Sequence, residues 1–188
     1  MTRKEIINKR KNLDAGFVTE ASNFIISSVY DIVMESECTH FLCYYPTCNE
    51  PDIRFIYEEL LAQGKKLYFP KTTGDTMEFY GISNLNDFKI GQFGIYEPTD
   101  LSENNRFTET TLAFVFTPGV MFSTNCDRCG FGRGYYDKYL SRLTDSIFVG
   151  IAYDFQVFPE IEVNEWDIPL NYVITEKHKY TCEETICQ

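Results

Sequence analysis

The chain has 188 residues, and its 17 Lys and Arg against 28 Asp and Glu leave a net charge of −11, which disfavours binding of nucleic acid through a basic surface. Hydrophobic residues make up 44% of the sequence and charged residues 24%, a composition too apolar for a disordered chain. No apolar run approaches the roughly 20 residues that span a bilayer, and the N-terminus lacks the hydrophobic stretch of a secretory signal. We therefore expect a monomeric, cytoplasmic protein that binds neither nucleic acid nor membrane.

The first half of the chain predicts helices and strands in alternation. Residues 3 to 12 have helical spacing and carry five Lys and Arg, so the first helix is basic in an acidic protein, and its charged face is either solvated or placed against an anion. Apolar residues recur every three or four positions from 17 to 35, which predicts a second helix with one buried face. A buried strand follows at 38 to 45, and a third helix begins after the capping residue Asp52 and ends at Gly64.

The middle of the chain is rich in β-branched and aromatic residues. It predicts strands at 66 to 70, 77 to 82 and 111 to 116, and the last of these is apolar enough to be central in a sheet. Residues 84 to 105 contain many Asn, Gly, Asp and Pro, so they predict a long surface loop.

A further helix from about 134 to 143 and strands at 147 to 153 and 171 to 175 complete the pattern. Strands that alternate with helices predict a mainly parallel sheet covered on both faces. The predicted fold class is therefore α/β, a three-layer single domain with a mainly parallel central sheet flanked by helices. We expect this domain to comprise residues 1–188, with residues 177–188 as a C-terminal tail.

The strongest chemical signal lies at 117 to 140, TPGVMFSTNCDRCGFGRGYYDKYL. Between a buried strand and a helix it places glycines at alternate positions, which are Gly130, Gly132 and Gly134. Such glycines allow a left-handed backbone and bring N–H groups close to an anion, and Arg128 and Arg133 add donors suited to phosphate oxygens. The spacing departs from the dinucleotide-binding and P-loop patterns, so the segment predicts either another kind of phosphate loop or a plain Gly-rich turn.

The same segment resembles the signature of the 5-formyltetrahydrofolate cyclo-ligase family, P-G-φ-x-F-D-x-x-G-x-R-L-G-x-G-x-G-Y-Y-D. Ten residues match it without a gap: Pro118, Gly119, Phe122, Arg128, Gly130, Gly132, Gly134, Tyr135, Tyr136 and Asp137. Three shorter stretches also resemble the family, and they contain Glu50 and Asp52, then Phe93, Gly94, Glu97 and Pro98, and finally Trp166, Asp167, Val173, Thr175 and Glu176. The chain as a whole is therefore similar to this family.

The resemblance implies an ATP-dependent ligase that closes 5-formyltetrahydrofolate to 5,10-methenyltetrahydrofolate and releases ADP and phosphate. It implies that the first helix and the Gly-rich loop bind ATP, through Arg3, Lys4, Arg128, Gly130, Gly132, Arg133, Gly134, Tyr135 and Tyr136. Three of these are the candidate catalytic residues, because they would act on the transferred phosphoryl group or the formyl oxygen: Arg133, Tyr135 and Tyr136.

The resemblance also implies a folate site and a metal site. The folate would contact three apolar walls and one carboxylate, which are Leu42, Met77, Phe93 and Glu50. Mg²⁺ is the expected cofactor, with Asp137 and Asp167 as its ligands. Ordinary alternatives exist: core packing for the tyrosines and apolar residues, a favourable charge in the first turn of a helix for Asp137, and a solvated loop position for Glu50.

The sequence departs from the family pattern at several positions. Ser123 replaces an Asp, whose loss would weaken a metal or loop contact, while Cys126 replaces a Gly and Cys129 replaces a Leu. The family's N-terminal helix opens K-x(3)-R, and when its Arg is aligned with Arg3 the Lys has no counterpart. Lys4 is expected to substitute for it.

Cys126 and Cys129 form a CxxC pair in a chain with seven cysteines. An odd number of cysteines in a chain long enough to fold without disulfides indicates reduced thiols. A structural zinc site needs four N or S ligands, and the sequence has no second CxxC and no HxxxH. Two incidental thiols are therefore preferred to a zinc site.

Two other functions stay open on the sequence alone. A sugar-phosphate isomerase or CoA-transferase-like enzyme of similar fold would not need ATP. A non-catalytic folate- or nucleotide-binding protein would have lost turnover through the change at Ser123 and the missing Lys. The intact Gly-Tyr-Tyr-Asp ending of the loop argues against that second function.

Overall fold

A computed structural model of the chain describes residues 1–91 and 94–182. Its α-helices are α1 (Arg3–Lys11), α2 (Ala15–Glu35), α3 (Arg54–Ala62) and α4 (Tyr135–Leu140). In chain order the strands are β1 (His40–Leu42), β2 (Lys66–Thr73), β3 (Thr76–Ile82), β4 (Phe88–Ile90), β5 (Tyr96–Pro98), β6 (Phe114–Pro118), β7 (Met121–Ser123), β8 (Arg128–Cys129), β9 (Ile147–Ile151), β10 (Val157–Phe158), β11 (Tyr172–Ile174) and β12 (Lys179–Thr181). Within this described range, no helix has both the length and the apolar character needed to cross a membrane.

Seven of the described strands form one sheet in the order β12-β11-β9-β6-β1-β2-β3. The strands from β11 to β2 are parallel to one another, whereas β12 and β3 pair antiparallel at the two edges. The chain leaves β1 towards β2 on one side and later adds β6 on the other side. The carboxyl ends of β1 and β6 therefore meet at a topological switch point, where open α/β sheets form a crevice for a ligand.

Side chains that alternate along the strands build one apolar core on each face of the sheet. Phe41 and Phe114 pack in the core beneath α2 and α3, whereas Leu42 and Val115 belong to the core on the opposite face. That second core is covered by α4 and by a small sheet in the order β10-β7-β8, which contributes Phe122. The predicted three-layer α/β fold is confirmed, although one outer layer combines a short helix with a small sheet.

Three stretches differ from their predictions. Residues 84–91 and 94–105 contain more regular structure than a surface loop, because β4 pairs antiparallel with β5 and a 3-10 turn follows at Glu103–Asn105. The Gly-rich segment begins with the hairpin of β7 and β8. The predicted C-terminal tail is wrong for Lys179–Thr181, which pairs with β11 as β12 because Tyr180 packs against the core; residues 183 to 188 lie outside the described part of the chain.

The start of α3 also differs in detail from its prediction. Its N-cap residue is Ile53, which makes no side-chain capping bond. Asp52 nevertheless supplies an acceptor, because its Oδ1 accepts a hydrogen bond of 3.1 Å from the backbone N–H of Arg54. The Asp52 carboxylate also pairs with the Arg54 guanidinium, so the start of the helix is held by an ion pair.

The backbone conformation of Cys126 explains why the family pattern has a glycine at this position. Its φ of 67° lies in the left-handed region, and the turn is fixed because its N–H donates to the carbonyl of Ser123 while its own carbonyl accepts from Leu170. The thiol is fully buried, and burial raises its pKa to about 12, so it stays protonated at neutral pH. Cys126 therefore packs well in a backbone conformation that disfavours any side chain.

We expect Cys126→Gly to be more stable than Cys126→Ala by about 1 kcal/mol, because both remove the thiol but only alanine keeps a Cβ in the left-handed region. Urea denaturation measures the difference. The same two substitutions at Cys43, which is buried and has no positive φ, are the control and should rank alanine above glycine. Finding alanine above glycine at Cys126 would contradict the strain argument.

Candidate functional site

A cavity of about 400 Å³ opens at the switch point between β1 and β6. Its walls come from four parts of the chain: the segment after β1 (Tyr44, Thr47, Glu50), the β2–β3 hairpin (Pro70, Thr72, Met77), the start of β5 (Ile95, Tyr96, Glu97) and the Gly-rich loop with the beginning of α4. Its volume is in the range of small-molecule sites. The fold therefore places the predicted phosphate loop beside residues from the first half of the chain.

The Gly-rich loop forms one wall of this cavity, with Gly130, Arg133 and Gly134 on its lining. Gly132 and Gly134 have φ of 94° and 63°, so glycine is the residue that fits both positions. A Cβ at Gly132 would lie 2.7 Å from Nη1 of Arg3. The structure thus brings Arg3 of α1 against the loop.

Lys4 and Arg133 differ in their position around the cavity. Lys4 is exposed and is not among the described residues that line it. Arg133 is also exposed but does line the cavity, and its guanidinium makes no ion pair with a described carboxylate. Arg133 is therefore free to bind an anion that enters.

Arg128 lines the cavity, but its guanidinium is already paired with groups of the protein. Its Nη2 donates to Oδ1 of Asp137 at 2.7 Å, and its Nη1 lies 3.5 Å from the carbonyl oxygen of Pro118 at the end of β6. The guanidinium lies 5.4 Å from the ring centroid of Tyr136. Its buried Nε has no hydrogen-bond partner within the described residues. Arg128 therefore holds α4 against β6.

The two adjacent tyrosines of α4 have different surroundings. The hydroxyl of Tyr135 donates to the carbonyl oxygen of Gly74 at 2.8 Å, which ties α4 to the turn between β2 and β3. Burial, followed by the negative charge of Glu50, raises the pKa of Tyr136 far above its usual value, and the charge of Arg128 opposes this only in part. Tyr136 is thus a neutral phenol on the cavity wall, whereas the Tyr135 hydroxyl has a structural partner.

The two aspartates predicted to bind Mg²⁺ have different surroundings. Asp137 lines the cavity, but one of its oxygens is bound to Arg128. Asp167 is not a lining residue; its Oδ2 accepts from the backbone and side-chain nitrogens of Asn164 in a surface turn. Among residues 1–91 and 94–182, no three His, Cys, Asp or Glu side chains come together as metal ligands would. Of the two predicted ligands, Asp137 therefore lies at the cavity and Asp167 does not, and binding of Mg²⁺ by either one stays a prediction.

Glu50 is buried at the cavity, with 5% of its surface exposed. Its Oε2 accepts from the N–H of Thr47 at 3.0 Å and from the Thr47 hydroxyl at 3.2 Å, and its Oε1 lies 3.2 Å from Nη2 of Arg10. Burial raises the pKa of Glu50, while Arg10 and the Thr47 hydrogen bonds lower it. The alternative of a solvated loop glutamate is therefore wrong, and so is any expectation that this position is exposed without ligand.

Arg10 is a site residue that the sequence analysis missed. It has 1% exposure although it belongs to a helix whose other basic residues are exposed. The signal for it is present in the spacing: the fully buried Ile6 lies four positions earlier, on the same face of α1. A basic residue on the buried face of a helix requires an opposite charge nearby, and the Glu50 carboxylate supplies it.

A second ion pair, with a buried carboxylate and a partly exposed lysine, was also missed. Glu97 has 3% exposure and lines the cavity, and Lys71 of β2 donates to its Oε2 at 2.6 Å. A Cβ at Gly91 would lie 1.9 Å from that oxygen, so glycine is required beside the carboxylate. Glu97 belonged to a stretch that resembles the family, but no role was predicted for it.

The predicted apolar walls of the folate site have three different outcomes. Met77 lines the cavity, where a contact with folate stays a prediction. Leu42 is fully buried in the core on the α4 side of the sheet and does not line the cavity, so its expected contact with folate is not supported. Phe93 lies outside the described residues.

Ser123 has a structural task that replaces the family's aspartate. It is fully buried, and its Oγ donates to Oδ2 of Asp127 at 2.7 Å and accepts from the N–H groups of Asn125 and Asp127 at 3.1 and 3.0 Å. A serine hydroxyl thus closes the turn that an aspartate would close. Since Ser123 does not line the cavity, its change from the family pattern leaves the cavity intact.

The fold and the site together define a class of protein: an α/β enzyme with an arginine-bearing Gly-rich loop and a buried carboxylate around one cavity at a switch point. The chain belongs to the 5-formyltetrahydrofolate cyclo-ligase family, whose sequence model matches residues 1–176. The predicted family and the predicted enzyme class, a ligase, are thereby confirmed, and neither alternative function is supported.

Individual relatives agree with this membership. The chain is 29% identical over 173 residues to the 5-formyltetrahydrofolate cyclo-ligase of Haemophilus influenzae, with 89% of this chain and 92% of that protein covered. The solution structure of 5,10-methenyltetrahydrofolate synthetase from Aquifex aeolicus is similar with a TM-score of 0.82 and 32% identity, covering 99% of this chain and 93% of that one. The synthetase structure from Mycoplasma pneumoniae, at 24% identity and a TM-score of 0.73 over 93% and 96% of the two chains, supports the fold alone.

We expect Asp137→Asn to lower the free energy of unfolding by about 3 kcal/mol, the lower part of the range for a broken buried ion pair, because Arg128 loses its counter-ion beside an open cavity. Asp167→Asn keeps an acceptor in an exposed turn and should change it by less than about 0.5 kcal/mol. Urea denaturation of both variants measures the difference. Equal destabilisation, or a larger loss of activity from Asp167→Asn, would show that the two aspartates have the paired role that the sequence suggested.

Proposed function

We propose that this chain catalyses the ATP-dependent closure of 5-formyltetrahydrofolate to 5,10-methenyltetrahydrofolate, with release of ADP and phosphate. The observation that carries the proposal is the single cavity shared by the Gly-rich loop and Glu50. A triphosphate needs fixed donors and positive charge, and a pterin needs a carboxylate acceptor for its ring and amino N–H groups. Both requirements are met around one cavity in a member of this family.

The chemistry explains why ATP is needed. The formyl oxygen of an N-formyl group is a poor leaving group, because it belongs to an amide. Transfer of the γ-phosphoryl group to that oxygen forms an O–P bond and releases ADP. N10 then attacks the formyl carbon, loses its proton, and the oxygen leaves as inorganic phosphate. Such a reaction requires positioning and neutralisation of charge more than a nucleophile from the protein.

On the phosphate side, we assign ATP binding to the Gly-rich loop with Arg3, and the developing charge of the transferred phosphoryl group to Arg133. The exposed guanidinium of Arg133 supports this role. It makes no ion pair with a described carboxylate, so it would not have to break one in order to bind a phosphoryl group. Tyr136 is a neutral donor suited to the formyl oxygen or a phosphate oxygen. Arg128 and Tyr135 are better assigned to holding the loop, given their bonds to Asp137 and Gly74.

On the folate side, Glu50 accepts hydrogen bonds from the pterin and Met77 contacts its ring. Roles for Lys4 and Phe93 stay predictions, as do the monomeric state and the cytoplasmic location. Mg²⁺ is proposed to enter with ATP, with Asp137 as the carboxylate available at the cavity, and it would neutralise phosphate charge when bound.

We expect the purified chain to form methenyltetrahydrofolate, detected by its absorbance, when both ATP and Mg²⁺ are present. Omission of ATP should abolish the signal, because the formyl oxygen is then not activated. Addition of EDTA with ATP should reduce it strongly. A folded chain, verified by circular dichroism, that forms no product with both present would refute the proposed function.

We expect Glu50→Gln to raise the KM for 5-formyltetrahydrofolate by about 10-fold or more, since the amide presents donors where the pterin has donors and loses charge-assisted bonds. The KM for ATP should change by less than about 2-fold. Glu58→Gln, an exposed position on α3, is the matched control and should leave both constants unchanged. Unchanged folate binding in calorimetry would remove Glu50 from the folate site.

A further inference from the structure

Arg10 connects three points that are distant in sequence. Its Nε donates to the carbonyl oxygen of Cys48 at 3.1 Å, and its Nη1 donates to the carbonyl oxygen of Gly119 at 3.0 Å. Its Nη2 lies 3.2 Å from Oε1 of Glu50, an ion pair whose angle departs from that of a hydrogen bond. One buried guanidinium thus joins α1 to the segments that follow β1 and β6, at the switch point itself.

The turn that presents Glu50 is strained. Its two central residues, Cys48 and Asn49, have φ of 49° and 56°, and the N–H of Glu50 closes the turn on the carbonyl of Thr47 at 2.9 Å. Left-handed conformations disfavour residues other than glycine, and they persist where surrounding contacts impose them. Here α1 holds the left-handed turn through two contacts. Arg10 donates to the carbonyl of Cys48, and the Asn49 side chain donates to the carbonyl of Arg10 at 3.1 Å.

We propose that Arg10 is a positioning residue for folate: it fixes the Thr47–Glu50 turn and keeps Glu50 an ionised acceptor that faces the cavity. The proposal rests on the proposed function for the identity of the ligand. Arg10 is not itself among the residues that line the cavity, so it acts through Glu50.

The electrostatics of Glu50 support this role. Four titratable groups interact electrostatically with Glu50: the Arg10 guanidinium and the phenols of Tyr44, Tyr136 and Tyr153. Burial raises the pKa of each phenol, so all three are uncharged near neutral pH. Burial also raises the pKa of Glu50, and Arg10 opposes that rise with its positive charge. Removal of Arg10 should therefore move the pKa of Glu50 upward, towards neutral pH.

The test compares Arg10→Gln and Arg10→Lys with the unmodified chain, using calorimetric binding of 5-formyltetrahydrofolate and separate KM values for folate and ATP. Arg10→Gln should weaken folate binding by about 10-fold or more and change the KM for ATP by less than about 2-fold. Lys11→Gln, which removes the same charge from an exposed position in the same turn of α1, is the matched control and should change neither.

The pH dependence separates a positioning role from a merely structural one. A raised pKa of Glu50 means that folate binding to Arg10→Gln falls further as the pH is lowered from about 8 to 6, while binding to the unmodified chain stays nearly constant. Arg10→Lys keeps the charge but cannot reach three acceptors, so it should weaken binding without this pH dependence. Folate binding to Arg10→Gln that equals that of the unmodified chain, or an equal loss for folate and ATP, would overturn the proposal.

Arg10→Gln leaves Glu50 buried without its counter-ion and is therefore the variant most prone to unfold. The double variant Arg10→Gln with Glu50→Gln removes both charges and should recover stability relative to the single variant without recovering folate affinity. Faster hydrogen exchange at the Thr47 and Glu50 amides in Arg10→Lys is expected without any ligand, and unchanged exchange there would count against the proposal. Folate binding without turnover in the unmodified chain would refute only the proposed function, because the binding comparison needs no reaction.

Discussion

The parallel pairing of β1 with β6 is the constraint on which the site depends. The two strands are adjacent in the sheet but lie more than 70 residues apart in the chain, and the chain turns away from them in opposite directions. Their carboxyl ends consequently open a space that no connecting helix fills. The segment after β1 brings a carboxylate to this space, and the segment after β6 brings the Gly-rich loop. A short helix at the start of the chain then bridges both segments through one guanidinium.

Three pairs of opposite charge surround the cavity: the buried pairs Arg10 with Glu50 and Arg128 with Asp137, and the partly buried pair Lys71 with Glu97. Buried pairs contribute little net stability, because desolvation offsets most of their attraction. Their value here is geometric, since each joins two elements that the backbone does not connect directly. They also keep charged groups fixed before any ligand enters, which is the arrangement that phosphoryl transfer requires.

The sequence predicted those parts of the fold that have a local signal. Helices α1 to α4 and the longer strands show apolar periodicity or end at Gly and Pro, and they were located to within a few residues. The short strands β7, β8 and β12 have too few positions for a period to be visible, whereas the equally short β1 and β11 lie within longer apolar stretches. The Gly-rich loop was predictable because its residues are contiguous. The burial of Arg10 could have been read from its spacing to Ile6, but its partners could not, since its contact with Gly119 spans 109 positions in sequence and exists only once the sheet has formed.

The two edges of the central sheet are the places where a strand of another molecule could add. Beyond β3, the backbone near Arg106 bridges to Tyr80, and the N–H of Phe107 donates to the carbonyl of Phe79, so that edge is already occupied. At the other edge, β12 is only three residues long and carries the exposed Lys179. Short edge strands with lysine are poor templates for the addition of a further strand. Both edges thus offer little free backbone to a strand of another molecule, which matters in a sheet whose strands are rich in aromatic residues.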